Sequence, residues 1–269
     1  MDVAIGVASY PDISLSELFE RANDIDADFV EVVMEGSYRR ERLADRASEF
    51  DSLVTDETGL VIHLPFGGLD VGSPFEHVRA GAVRELEESV RTADELGAEK
   101  AVFHADTYVR PEIWEKPTVI EAVIDSISRL TQVAAGRTVE LTVENVPNPF
   151  MTVTDFPELF AETEVNATLD TGHARVNRVG DGELSRLLET HGERFTHFHI
   201  NDTRGPSDDH LPIGMGEIGF ESLFRALPSD WSGSMTVEAI TTEFEYMELG
   251  VERLRERLES IEEDRETPS

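Results

Sequence analysis

The segment HFHINDTRGPSDDH (residues 197–210) contains three of the chain's eight histidines, interleaved with three aspartates. Imidazole and carboxylate groups are the side chains that divalent metal ions bind in proteins. Crowding such groups in a folded chain is costly without an ion, because charged side chains lose their hydration on burial. The segment therefore predicts a metal site whose remaining ligands come from other parts of the chain.

Imidazoles and carboxylates also stand at the carboxyl ends of the six later β-rich segments. These residues are His63, His104, Glu144, Asp170, His199 and Glu238. Three more potential ligands follow in loops, namely His173, Asp208 and His210. Zinc takes four ligands and manganese about six, so nine nitrogen and oxygen donors match two or three divalent ions better than one.

Each of these residues also has an ordinary structural explanation. The alternatives are a hydrogen-bonded core histidine at His63 or His104, a turn at Asp170, a helix cap at Asp208 and an ion pair between Glu238 and Arg204. The shared position at six successive strand ends favours a metal site over six unrelated explanations.

Five other residues complete the set of candidates. His197 lies one interior layer below His199 on the same strand and is expected to support the site without binding the ion. His77 and His191 fall in helical segments, where we expect structural or solvated roles. Arg204 and Phe66 fall in loops and are candidate contacts for a substrate.

The elements that position these residues form a regular alternation of β-rich and helical segments. The predicted strands are 3–9, 28–34, 59–65, 100–106, 139–145, 165–170, 195–201 and 234–240. Eight strand–helix units of roughly 30 residues each predict a (β/α)₈ TIM barrel. No linker divides the chain, so we expect one domain over residues 1–262, followed by a frayed tail at 263–269.

Three helix starts are predicted from capping pairs: Ser14 with Glu17, Ser73 with Glu76, and Asp155 with Glu158. The strands alternate polar and apolar residues, as in VELTVEN (139–145), FTHFHIN (195–201) and SMTVEAI (234–240). The apolar face must meet the helices, so the polar face lines the barrel. Several carboxylates inside a barrel are costly unless a cation compensates them, which again favours bound metal.

The composition excludes several classes of protein. The chain has no cysteine, so disulfides, thiolate nucleophiles and cysteine-ligated zinc are ruled out. The N-terminal segment has no basic region or long apolar run, and no stretch of 18 apolar residues occurs, so neither a signal peptide nor a membrane span is expected. The sequence predicts a soluble, cytoplasmic enzyme.

The net charge of −33 is spread over the helical segments, and only Lys100 and Lys116 are lysines. This pattern resembles the hydrated, halophilic surfaces of proteins from salt-loving organisms. In dilute salt such a surface repels nucleic acid, although in concentrated salt the Debye length falls to ~3 Å. The charge therefore makes nucleic acid an unfavoured, but not excluded, partner.

The chain resembles the xylose isomerase-like TIM barrel superfamily, which joins sugar isomerases and epimerases with the second family of AP endonucleases. The motifs that carry the resemblance lie in order along essentially the whole chain: HLPF (63–66), VFHAD (102–106), VEN (143–145), LDTGHA (169–174), HFHIND (197–202), DDHLPIGMGEI (208–218) and VEAI (237–240). The ordered set is far more specific than any one motif.

The resemblance implies one to three ions, of zinc or manganese, depending on the branch. In the endonuclease IV branch three zinc ions would be held by His63, His104 and Glu144, by Glu144, Asp170, His199 and Glu238, and by His173, Asp208 and His210. In the sugar isomerase and epimerase branch, one ion, often manganese, would be held by Glu144, Asp170, His199 and Glu238. Glu144 and Glu238 would then transfer the substrate proton as the catalytic pair, while His173 holds sugar oxygens.

Other features favour the isomerase branch. An endonuclease must grip a duplex largely through its phosphates, yet only SYRRER (37–42) has the composition of a DNA contact. The segment RGPSDDHLPIGMGEI (204–218) is similar to the sugar isomerase-like members. We therefore expect a sugar or sugar phosphate isomerase or epimerase that acts through an enediolate, and a homo-oligomer is compatible with the sequence. The alternatives are an endonuclease IV-like zinc phosphodiesterase acting at abasic sites and a non-catalytic metal- or sugar-binding barrel.

Overall fold

The computed structural model describes residues 1–9, 13–241 and 243–266. Over these ranges the chain forms a closed barrel in which each strand pairs with the next and β8 pairs with β1, all in parallel. The strands are β1 (Asp2–Ala8), β2 (Phe29–Val33), β3 (Gly59–His63), β4 (Lys100–His104), β5 (Glu140–Glu144), β6 (Asn166–Asp170), β7 (Phe195–Ile200) and β8 (Ser232–Val237). The predicted single-domain (β/α)₈ barrel is confirmed.

Helices surround the barrel and bury one face against it. They are α1 (Leu15–Asp24), α2 (Arg40–Ala44), α3 (Ala47–Leu53), α4 (Glu76–Glu95), α5 (Lys116–Ala134), α6 (Phe156–Glu162), α7 (Thr171–Val176), α8 (Asp181–His191), α9 (Phe220–Ala226) and α10 (Glu245–Glu266). Helix α1 shows the pattern, because it buries Leu15, Leu18, Phe19 and Ala22 at helical spacing. Among the described helices, none has both the length and the apolar character needed to cross a bilayer.

The last helix corrects the predicted tail. Helix α10 continues without a break to Glu266, so the frayed segment predicted at 263–269 starts too early. Residues 267–269 lie outside the described residues.

One of the three predicted helix starts is misplaced. The Ser14 hydroxyl accepts a hydrogen bond from the Glu17 amide, so the first cap is confirmed. Helix α4 instead has Phe75 as its N-cap, and Ser73 accepts from the Phe75 amide in the preceding turn. The helix therefore starts two residues later than predicted.

The third helix starts where predicted, with Asp155 as the N-cap of α6, but the Asp155 side chain caps a different turn. Thr152 and Asp155 form a reciprocal capping box around the 3₁₀ turn Val153–Asp155. The Asp155 carboxylate accepts from the Thr152 amide at 2.9 Å. It therefore makes no side-chain cap for α6, which follows directly.

The two faces of the strands are used as predicted. Leu141, Val143, Phe198, Met235 and Val237 belong to the main hydrophobic core between barrel and helices. The opposite face carries polar groups into the barrel, including a hydrogen bond between the hydroxyls of Thr142 and Thr168. At the amino-terminal end Glu140 binds Lys100 and also accepts from Asn166 and Thr196.

A small apolar cluster separates this amino-terminal end from the carboxyl end of the barrel. It consists of Phe29, Val61 and Val102, with Ala4 packed against them. The Phe29 ring occupies the space beside Gly6, and a Cβ atom at Gly6 would overlap the ring. Glycine is therefore required at this position because of a close approach inside the barrel.

We predict that Gly6→Ala lowers the free energy of unfolding by about 1–3 kcal/mol, because the Phe29 ring must leave its position. The loss should shrink in a Phe29→Leu background, since the two residues compete for one space. Urea denaturation of the two single variants and the double variant measures the coupling. The control is Gly81→Ala in α4, where nothing lies within 4 Å of the added carbon. Additive effects of the two interior substitutions would contradict this packing.

Candidate functional site

The nine predicted ligands converge at the carboxyl mouth of the barrel. Four of them, His63, His104, Glu144 and Asp170, are the last residues of β3, β4, β5 and β6. His199 stands one residue before the end of β7, and Glu238 directly follows β8. The carboxyl ends of parallel barrel strands form one rim, so residues distant in sequence become neighbours there.

Glu144 is the centre of this arrangement and is 1% exposed. One carboxylate oxygen, Oε2, lies 3.1 Å from His63 Nε2, 3.2 Å from His104 Nε2 and 3.4 Å from His199 Nδ1. The other, Oε1, lies 3.0 Å from His173 Nδ1. One buried carboxylate therefore contacts four imidazoles from four different elements.

His199 faces three carboxylates with a ring nitrogen that lacks a hydrogen bond. Its Nδ1 lies 3.4 Å from Glu144, 3.9 Å from Asp170 and 3.5 Å from Glu238. Within the described part of the chain, this buried nitrogen has no hydrogen-bond partner. A buried polar atom in that state is costly, and a cation held between it and the carboxylates would satisfy it.

The donor chemistry fits a divalent cation. Ligand atoms of Asp170, His199 and Glu238 lie within 4.8 Å of one another, and so do those of His63, Glu144 and His199. Mixed imidazole and carboxylate donors suit zinc and manganese. The structure thus brings the predicted set together, and metal binding by it stays a prediction.

A second cluster forms beside the first. Asp208 lies 3.1 Å from His210 Nε2 and 3.5 Å from His173 Nε2. His173 and His210 can also share an ion with Asp170, since their ligand atoms approach within 4.8 Å. The side chain of Asp208 is 42% exposed, so this cluster is the part of the site nearest solvent.

The loop that carries Asp208 and His210 is anchored by a buried aspartate. Asp202 accepts hydrogen bonds from the amides of Gly214 (3.0 Å), Gly216 (2.8 Å) and Ile218 (3.1 Å). A Cβ atom at Gly216 would overlap Asp202 and Thr203, so glycine is needed there. The glycines of the PIGMGEI segment therefore serve the position of the loop.

Two asparagines that the sequence analysis missed hold Asp170 in place. Asn201 donates to Asp170 Oδ2 at 2.8 Å. Asn145 accepts from the Asp170 amide at 2.8 Å and donates to its carbonyl at 3.0 Å. Each asparagine follows the end of a strand, in VEN and HIN, and that repeated placement was the signal available in the sequence.

Glu31 is a buried charged residue that was not predicted from the sequence. It stands inside β2 and is 1% exposed. Its oxygens lie 3.0 Å from His199 Nε2 and 3.3 Å from His197 Nε2. The alternation in FVEVV (29–33) places it on the interior face, and a charged residue on that face was the available signal. His197 lies on this interior face with Glu31, and its supporting role stays a prediction.

The surrounding charges separate the pKa values of the two glutamates. Burial alone would raise the pKa of Glu144, but the charges and hydrogen bonds of His199, His104 and His173 hold it well below its ordinary value. Burial raises the pKa of Glu238 to about 7, since the charges of Asp170 and Glu144 offset the opposing effect of His199 and His210.

The imidazoles respond in the opposite sense. Burial opposes the charged form, yet the neighbouring carboxylates raise the pKa of His173 and of His199 well above the ordinary value. For His210, Asp208 and Glu238 overcome burial and raise the pKa to about 9. His104 differs, because burial dominates and lowers its pKa. Without a cation, these histidines supply the positive charge that the carboxylates require.

A cavity of about 380 Å³ opens directly above this site. Its polar part is formed by predicted ligands, and its apolar part by Ala8, Val33, Phe66, Ile240 and Met247. Phe66 stacks on the His104 ring at 4.6 Å between centroids, so its predicted place beside a substrate agrees with the geometry.

Arg204 corrects the prediction. It is exposed, it does not line the cavity, and its Nε donates to the Met215 carbonyl at 3.1 Å. Among the described residues its guanidinium forms no ion pair with Glu238, and its position outside the cavity does not favour the predicted substrate contact. His77 and His191 lie on α4 and α8, as expected.

Comparison with known proteins agrees with this architecture. The chain is 28% identical to the uncharacterised protein MJ1311 of Methanocaldococcus jannaschii, over 98% of this chain and 95% of that protein. The crystal structure of a D-tagatose 3-epimerase-like protein superposes with a TM-score of 0.80 at 26% identity, over 97% of this chain and 98% of that one. Protein TTHB071 of Thermus thermophilus, in a structure soaked with ZnCl₂, superposes with a TM-score of 0.72 at 26% identity, over 97% and 99% of the two chains.

A family model described as xylose isomerase-like TIM barrel matches residues 19–263. This range includes β2 to β8 and every predicted ligand. The match agrees with the closed barrel and with the motifs that carry its rim residues. The chain therefore belongs to the xylose isomerase-like TIM barrel family.

Proposed function

We propose that the protein is a divalent-metal-dependent sugar isomerase or epimerase, which moves a proton at the carbon next to a carbonyl group. The observation that carries the proposal is the convergence of His199 Nδ1 with the carboxylates of Glu144, Asp170 and Glu238 beneath an open cavity. The similarity to a D-tagatose 3-epimerase-like protein supports this reaction class.

Glu144, Asp170, His199 and Glu238 would hold the ion. When bound, manganese or zinc would polarise the substrate carbonyl and stabilise negative charge on the adjacent oxygens. The zinc-soaked structure of the Thermus protein makes zinc a reasonable first choice beside manganese. The second cluster of His173, Asp208 and His210 offers either a further ion site or hydrogen bonds to sugar hydroxyls.

The two glutamates differ in the way that proton transfer requires. Glu144 remains ionised because imidazoles surround it, so it can accept a proton, although its lowered pKa makes it the weaker base of the two. Glu238 has a pKa of about 7 and can hold or release a proton near neutral pH. A group transfers protons most efficiently when its pKa lies near the operating pH, which favours Glu238 as the main acid–base residue. We therefore assign proton transfer to Glu144 and Glu238. We propose that Phe66 packs against the apolar face of the sugar.

We further propose that the substrate carries no phosphate. Among the described residues, no lysine or arginine lines the cavity, and residues 10–12, 242 and 267–269 include no basic residue. The lining does include the acids Glu144, Asp208 and Glu238. Both lysines are engaged elsewhere, Lys100 with Glu140 and Lys116 with Asp155. A dianionic phosphate in this cavity would therefore have no lysine or arginine of the described lining to bind it.

A zinc phosphodiesterase remains the second candidate. The cluster of His173, Asp208 and His210 supports it, because that activity would use these residues to hold a further zinc ion. Arginines in the SYRRER segment do not favour it. Arg40 is paired with Glu85 at 2.7 Å, and Arg39 lies 3.7 Å from Glu41. Two of the three arginines in this segment are therefore already matched by acids of the same chain.

We predict that the manganese-loaded protein exchanges the α-proton of one or more free ketoses or aldoses for deuterium from D₂O. The exchange is measured by NMR in concentrated KCl. The phosphorylated form of an accepted sugar should have a kcat/KM at least ~10-fold lower, the equivalent of one lost charge contact. Nicking of abasic-site plasmid without exchange on any sugar would transfer the assignment to the phosphodiesterase. Bound metal with neither activity would favour a binding protein.

We predict that Glu238→Gln lowers kcat by at least ~10²-fold while the fold is retained, because the amide cannot transfer the proton. Steady-state kinetics and circular dichroism test the two parts. The control is Glu243→Gln, which makes the same charge change at an exposed residue. A Glu238→Gln enzyme with near wild-type kcat would remove Glu238 from the catalytic pair.

We predict that manganese affinity rises with pH. Raised pKa values mean that Glu238, His199 and His210 keep protons that the metal must displace, so binding is weaker where those protons are held. Displacing the proton of Glu238 alone should strengthen binding about tenfold between pH 6 and pH 8. Calorimetric titrations in buffers of different ionisation enthalpy measure the affinity and the released protons. Equal affinity at both pH values would contradict the proposed ligands.

A further inference from the structure

Glu31 occupies the layer directly below the proposed metal ligands and has a complete set of hydrogen-bond donors around it. His199 Nε2 lies 3.0 Å from Oε1, and His197 Nε2 lies 3.3 Å from Oε2. The Thr236 hydroxyl donates to the same Oε2. Both oxygens of this buried carboxylate therefore have donors within hydrogen-bond distance.

The hydrogen-bond directions follow from the donors that converge on this carboxylate. A carboxylate accepts hydrogen bonds, so His199 and His197 donate to it through their Nε2 atoms. In a neutral His197 ring with hydrogen on Nε2, Nδ1 accepts from the Ser234 hydroxyl at 2.6 Å. The interior of the barrel from Ser234 to Glu31 therefore forms a chain of hydrogen bonds with one polarity.

This polarity determines which nitrogen of His199 can bind a metal. A neutral imidazole carries hydrogen on one nitrogen and a lone pair on the other. With Nε2–H held by Glu31, the lone pair is on Nδ1. That is the atom that faces the carboxylates of Glu144, Asp170 and Glu238 and lacks a hydrogen bond within the described part of the chain.

We propose that Glu31 is a positioning residue that fixes His199 as the Nε2–H tautomer and orients its ring, so that Nδ1 is the metal-binding atom. The inference rests on the proposed metal site. His197, Ser234 and Thr236 act through Glu31, because each contributes to the chain of hydrogen bonds that orients the carboxylate. Groups that orient a metal-bound histidine in this way tune metal affinity without touching the ion.

A glutamine at position 31 could fill the space but could not accept from all three donors. Its amide has one oxygen that accepts and one nitrogen that donates. Either His199 or the pair of His197 and Thr236 would then face an N–H group. The expected result is a partial shift of His199 to the other tautomer, together with weaker metal binding.

The first experiment measures Mn²⁺ and Zn²⁺ affinity of Glu31→Gln by calorimetry and chelator competition. The expected loss is ~10–100-fold relative to wild type. The matched control is Glu140→Gln, another interior glutamate that binds Lys100 at the opposite end of the barrel. Glu140→Gln should alter thermal stability but leave metal affinity within about twofold. Metal affinity of Glu31→Gln within twofold of wild type would overturn the proposal.

The second experiment requires no substitution. Long-range ¹H–¹⁵N spectra of the zinc-loaded wild-type protein should show His199 protonated at Nε2 and metal-bound at Nδ1. Coordination through Nε2 would overturn the proposal even if Glu31→Gln fails to fold. Glu31→Asp keeps the charge but shortens the side chain, so it should retain the Nε2–H signature with an intermediate affinity.

These measurements separate this inference from the proposed activity. A protein that binds metal through His199 Nδ1 in a Glu31-dependent way, but exchanges no sugar proton, would support the role of Glu31 and reject the isomerase. An active enzyme with Glu31-independent metal affinity would do the reverse. A wild-type protein that binds no divalent ion would overturn both.

Discussion

Carboxylates enclosed in a protein barrel must be matched by positive charge or by hydrogen-bond donors, because the interior cannot hydrate them. Two fully buried glutamates, Glu144 at the rim and Glu31 one layer below, impose that condition here. His199 contacts both of them, one with each ring nitrogen. Each of these two interior layers therefore pairs buried acid with imidazoles, and His199 links one layer to the other.

The same balance explains how the mouth could serve the proposed metal ion and proton transfer at once. Imidazoles with raised pKa values neutralise the carboxylates when no cation is bound, and a divalent ion can replace their protons without leaving an uncompensated charge. The asparagines beside Asp170 and the Asp202 anchor hold the geometry constant while the charge carriers change. The hydrogen bonds around the rim thus hold the site residues in position.

Much of this arrangement could be predicted from the sequence, because period-2 alternation reports directly on strand faces. All eight strands and the rim residues at their ends follow from it. Glu31 was not predicted, because the predicted ligands lie at strand ends and Glu31 lies in the middle of a short strand. The predictions for the side-chain caps at Ser73 and Asp155 and for Arg204 failed for another reason. Turns offer several nearby hydrogen-bond partners, and their choice depends on backbone geometry that a sequence pattern does not specify.

The apolar cluster of Phe29, Val61, Val102 and Ala4 lies between the two polar ends of the barrel. The cluster closes the barrel below the layer of Glu31 and does not line the cavity, which opens at the carboxyl side. Under the proposed function, a product would leave through the opening by which its precursor entered. Reactant and product would then compete for the same path, and turnover in a reversible reaction would become sensitive to the accumulation of its own product.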